Sequence, residues 1–178
     1  MIMDDFKLLL EKAKKEKLKK HDCVLFQMLT KASCEFLREN FDGAFEIEES
    51  LVGCNTADIS LDGYASFLRR LFDIIFGRSL IKIRFFEENE SLFINFSWKN
   101  ADISERDEEE LSYVAKRSGF SFDFIAGDET NTISVKIEKA ALCVYPVYAT
   151  DDDRIKPRLL YAFKDFLNIT ADTLPRRF

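Results

Sequence analysis

Apolar residues recur along this chain in two rhythms, one at intervals of three and four and one at every second position, and the two alternate. Residues 4–20, DDFKLLLEKAKKEKLKK, predict a helix. Asp4 and Asp5 open it, Lys19 and Lys20 close it as a helix dipole favours, and no Gly or Pro interrupts it. Phe6, Leu9, Leu10 and Ala13 share a face, but beyond Ala13 only Leu18 is apolar before His21, so its second half is solvated. From Cys23 to Phe41, the spacing of Val24, Leu25, Met28, Leu29, Ala32, Phe36 and Leu37 predicts a second helix, stopped by Asp42-Gly43. AFEIEES then alternates Phe45 and Ile47 with acids, as a half-exposed strand does, and LVGCNTADI reads as a loop or a short second strand. Ser60 caps a strongly apolar helix that carries Phe67, Leu68, Leu71, Ile74 and Ile75 on one side and closes at Gly77.

Alternation governs the rest of the centre. Ile81, Ile83 and Phe85 mirror Leu92, Ile94 and Phe96 across a polar EENES turn, which predicts a β-hairpin. ERDEEELSYVAKRSG has acids in its first turn, Lys116 and Arg117 in its last and Gly119 at its end, the marks of a helix. FSFDFIA and TISVKIE form a second hairpin around GDETN. ALCVYPVY adds an edge strand, where Pro146 is tolerated, and DDDRIKPRLLYAFKDFLN a terminal helix with Pro157 near its first turn. The order predicts an α/β two-layer sandwich of the α+β kind, a mixed but mainly antiparallel sheet with helices on one face. Residues 1–21 form a basic helical arm, 22–140 the α/β domain, and 141–178 an edge strand and helix packed on the same domain.

Composition narrows the function classes. At 178 residues with 47% hydrophobic content and 18 Phe, the chain can bury one sizeable core, which excludes disordered and fibrous readings. A net charge of −6 argues against a dedicated nucleic-acid binder, although residues 1–20 carry +3 and the remainder −9. No apolar run reaches the roughly 18 to 20 residues that a membrane span requires, so a cytoplasmic protein is expected. Cys23, Cys34, Cys54 and Cys143 show no metal-ligand spacing and His21 is the single histidine, so four reduced thiols and no metal are expected.

The stretch DISLDGYASFLRRLFDIIFGRSLIKIRFFEENESLFINF, with ELSYVAKRSGFSFDF and NTISVKI after it, resembles the ATP-binding domain of histidine kinases, of the GHKL ATPase superfamily, over about Val24 to Lys139. The resemblance implies that fold and directs attention to the positions where the family grips its nucleotide. Its magnesium-binding Asn corresponds here to Ile74, or to Asp73 one position earlier, beside Arg70. Its Asp-x-Gly-x-Gly turn falls on SWKNADIS, where Trp98 and Asn100 stand and no glycine occurs between Gly77 and Gly119. Its glycine-rich phosphate cradle is replaced by ISERDEEEL, whose carboxylates repel a triphosphate. The loop between Asn100 and Ser104 is too short for the family's lid.

The resemblance thus implies a degenerate member that binds no ATP and no cofactor, a bacterial signalling protein acting through an unidentified protein partner. Trp98 fills the core, plugs the emptied cleft or meets that partner; the acidic helix and the N-terminal arm are the other candidate surfaces. Phe6, Leu9, Leu10 and Ala13 also suit helical pairing into a homodimer. The alternative is a histidine phosphotransferase that relays phosphate through His21, followed by Asp22 as such sites are followed by an acid. A third reading is an unrelated α/β interaction domain. No nucleophile constellation and no P-loop lysine is present.

Overall fold

A computed structural model describes residues 21–41, 43–50, 52–76, 80–99, 102–143 and 152–167. Seven strands and four helices follow one another as β1 (Asp22–Leu25), α1 (Phe26–Asn40), β2 (Phe45–Glu49), β3 (Thr56–Ile59), α2 (Leu61–Ile75), β4 (Ile81–Glu88), β5 (Ser91–Lys99), α3 (Glu105–Ser118), β6 (Ser121–Ala126), β7 (Thr130–Ile137) and α4 (Ile155–Ala162). The main sheet has the order β2-β4-β5-β7-β6. Its strands are antiparallel except β2 and β4, which run parallel and therefore need the crossover that α2 supplies.

Local chemistry explains most of these elements. The Ser60 hydroxyl accepts a hydrogen bond from the Gly63 N–H at 3.1 Å and starts α2. The β4–β5 turn is tighter than the five-residue EENES reading: Glu88 pairs with Ser91, and Asn89 and Glu90 alone take positive φ. Gly119, at φ 89°, ends α3 in the left-handed conformation that a side chain disfavours.

Alternation along β4, β5 and β7 turns Ile81, Ile83, Phe85, Leu92, Ile94, Phe96, Trp98, Ile133, Val135 and Ile137 toward the helices. The opposite face carries polar pairs, among them Ser97 with Thr132 at 3.0 Å and Ser134 with Asn95 at 2.7 Å. In the helical layer α4 packs against both α1 and α2, and α3 packs against α2. Phe72 on α2 is fully buried within an aromatic cluster, 5.1 Å from the rings of both Phe45 and Phe163.

Four expectations need correction or placement. The helix expected from Cys23 begins at Phe26, because Asp22–Leu25 is a strand that pairs antiparallel with Ile59–Thr56. Val24 and Leu25 suit either period, and the partner strand decided between them. The four thiols are not all free: Cys23 and Cys143 form a disulfide with Cα atoms 5.6 Å apart, leaving Cys34 buried and Cys54 exposed. After β7 the chain returns to β3, where the Ala140 N–H donates to the Thr56 carbonyl at 2.8 Å, and β3 lies beside β1, which carries Cys23. Residues 141–143 form no strand, and the remainder of the expected edge strand lies outside the described residues, as does the N-terminal helix.

Candidate functional site

The rim where α2 meets α3 holds Arg70, Asp73 and Ile74, three of the residues marked by the sequence. Arg70 projects from α2 across to α3 and pairs with Glu110, which also receives Arg106 at 3.6 Å from its own helix. One turn on, Asp73 is held by Arg69, four residues earlier, whose guanidinium lies 4.6 Å over the Phe166 ring. Asp73 therefore has a cationic partner, and Ile74 beside it is half-buried and offers no polar group. Deeper along the same pair of helices, a Cβ at Gly63 would collide with Ser118 Oγ, so α2 and α3 touch where only glycine fits.

The start of α3 is capped and strongly acidic. The Ser104 hydroxyl accepts from the Asp107 N–H at 3.1 Å, and Glu105, Asp107 and Glu108 place their charges against the positive end of the helix dipole. The cap thus takes one of the N–H groups that would draw a phosphate to this helix start, and the carboxylates oppose its partial charge. Trp98, which the sequence left between core, plug and partner surface, is a core residue: it is 1% exposed and stacks on Phe124 at 6.3 Å with the planes 23° apart. Asn100 lies outside the described residues.

His21 and Asp22 lie apart from this rim. His21 stands just ahead of β1, its Nδ1 3.8 Å from Asp58, with its ring against Gly119. Asp22 accepts a hydrogen bond from the Leu61 N–H at 3.3 Å and so serves the N-terminus of α2. Burial and charge move the titration of three groups gathered around α1. Burial pushes the Cys34 thiol up to about 12, and the nearby Glu49 carboxylate pushes the same way. Burial likewise raises Tyr64, although its hydroxyl shares a 2.8 Å hydrogen bond with Ser33 that favours the ionised form. Hydrogen bonds to Glu35 and then Glu39 raise Lys156, which clamps α4 to α1.

Open cavities indent the described surface. One of about 380 Å³ lies between α3 and the start of β6, and one of about 300 Å³ lies between α1 and the end of β2. Neither is lined by Arg70, Asp73, Ile74 or Trp98. No group of three or more potential metal ligands occurs among the described residues, and no described helix is long and apolar enough to cross a membrane. Sequence reasoning missed Glu110 as the partner of Arg70 and missed the Gly63–Ser118 contact. A glycine inside an otherwise strong helix was a signal for the second; nothing local announced the first.

The sequence matches no family model and no curated protein. The architecture, by contrast, matches solved histidine kinases. A histidine kinase from Burkholderia phymatum superposes with a TM-score of 0.51 and 11% identity, over 76% of this chain and 80% of that one. The catalytic domain of histidine kinase ThkA gives 0.51 at 10% identity, over 67% of this chain and 97% of that one. The Acinetobacter baumannii histidine kinase AdeS gives 0.50 at 11% identity, over 77% and 80% respectively. The chain has the fold of the histidine kinase ATPase catalytic domain. At such identities the likeness is one of fold.

Proposed function

We propose that this histidine-kinase ATPase-like domain is a nucleotide-free regulatory module of bacterial signalling that works by protein contact. The observation that carries the reading is the α2–α3 rim, bridged by Arg70 and Glu110 beside an α3 N-terminus filled with carboxylates. A triphosphate approaching that helix meets several like charges, each costing on the order of 1 kcal/mol after screening. Of the two candidate positions for a magnesium ligand, Ile74 offers no oxygen and the Asp73 carboxylate is held by Arg69. Trp98 adds to the case because its indole is spent on packing against Phe124.

Relay of phosphate through His21 is the weaker reading. It asks for a histidine on a solvent-facing helix, whereas His21 leads into a strand and faces Asp58 and Gly119. Titration calorimetry with Mg-ATP tests the main proposal: no saturable heat is expected, and binding in the micromolar range overturns it. The same protein incubated with phosphorylated response regulators is expected to acquire no label on His21.

A further inference from the structure

The described strands of the main sheet end in two edges, β2 and β6, and β6 pairs with β7 on one side and with no other described strand. Its side chains alternate, Phe122 and Phe124 half-buried and Ser121, Asp123 and Ile125 exposed, and Ile125 is 57% exposed on the polar face. An open edge of this kind is a template for another strand. Beside it, the cavity of about 380 Å³ separates β6 from α3 and is lined by Ser112, Lys116, Phe120, Phe122 and Lys136 among others.

Geometry and charge together identify the occupant. α3 runs antiparallel to β6: the chain turns from one to the other at Gly119, and at the opposite end Asn131, which pairs with Ala126, donates to Asp102 at 3.5 Å just ahead of α3. Fourteen helical residues span about 21 Å. Six strand residues span about 20 Å. Their midpoints, Ser112 and Phe124, therefore lie at about the same level. Along α3, Glu105, Glu108, Glu109, Ser112 and Lys116 share one side at helical spacing, and Ser112 and Lys116 place that side toward β6. The stripe is acidic in one half and basic in the other, divided at Ser112.

We infer that β6 and α3 together form a two-fold interface with a second copy of this chain. A single dyad through Phe124 and Ser112 serves both layers. In the sheet, antiparallel pairing centred on Phe124 sets Asp123 opposite the partner's Ile125 and Phe122 opposite the partner's Ala126, so no like charges face each other and each face keeps its character. In the helical layer the acidic half of each α3 lies along the basic half of the other, with Glu108 and Glu109 approaching the partner's Lys116. The β6–β7 turn of each copy brings Asp128 and Glu129 to the mouth of the cavity flanked by Lys116 and by Lys136, which its own Glu138 also approaches at 3.7 Å. The result is a continuous sheet of ten strands with its cavities filled by the partner's turn. This assembly does not depend on whether either copy binds nucleotide.

Sedimentation velocity of the full chain over a range of concentrations tests the inference. A monomer–dimer equilibrium is expected. Glu108→Lys/Glu109→Lys and Lys116→Glu variants, their folding verified by circular dichroism, each raise the dissociation constant by about tenfold to a hundredfold, since every contact occurs twice. An equimolar mixture of the two variants restores the dimer, because both contacts then join opposite charges. Ile125→Asp, facing the partner's Asp123, weakens the dimer while Ile125→Lys does not. A chain that stays monomeric up to about 100 μM overturns the proposal. So does a dimer indifferent to these changes, the result expected if pairing runs through the N-terminal segment, and so does failure of the mixture to reassociate.

Discussion

Arg70 and Phe72 stand two residues apart on α2 and belong to different worlds. Phe72 points into a cluster of phenylalanines contributed by Phe41 just after α1, by β2, β5 and the α4 region, all closely packed around it. Arg70 points along the rim to Glu110 and is about half exposed. The inner side holds the fold shared with histidine kinases at about a tenth sequence identity, because any set of apolar side chains of suitable volume can support it. The rim carries ion pairs, a helix cap and a half-buried isoleucine. Packing tolerates substitution far better than chemistry does, so a shared fold does not by itself carry a shared site.

That contrast can be tested by breaking each side in turn. Phe72→Ala removes a fully buried ring from the cluster and is expected to cost about 3 to 5 kcal/mol, read by urea denaturation monitored by circular dichroism. Reducing the Cys23–Cys143 bridge releases a loop of 120 residues and is expected to cost about 2 to 5 kcal/mol. Thermal melts with and without dithiothreitol measure it, and alkylation of the unreduced, denatured chain should label Cys34 and Cys54 alone. The rim gives the smallest effect: Arg70→Ala, losing one half-exposed ion pair, is expected to cost no more than about 1 kcal/mol. An Arg70→Ala loss as large as that of Phe72→Ala would erase the distinction between the two regions.

The candidate site was partly legible before the structure. Ile74, Asp73, Arg70 and the acids ahead of Leu111 could be marked because the helices that carry them announce themselves, α2 by its serine cap and apolar face, α3 by its charge gradient and closing glycine. What each residue touches could not be read. Glu110 lies 40 positions from Arg70, and Asp73 has its partner only four positions away on the same helix. Trp98 showed an alternating strand around it, yet whether that face turns to solvent, a cleft or the core depends on Phe124 from another hairpin.

The sequence by itself determined the two hairpins, the three central helices apart from the first turn assigned to α1, the serine that caps α2 and the glycine that ends α3, since these are written in residues within a few positions of each other. The tertiary structure decided that Asp22–Leu25 is a strand, that β2 joins the sheet in parallel, that Cys23 meets Cys143, and that Arg70 closes on Glu110. Those outcomes depend on chain segments tens of residues apart meeting in space. Periodicity reports which face of an element is apolar, and only the assembled layers choose what that face meets.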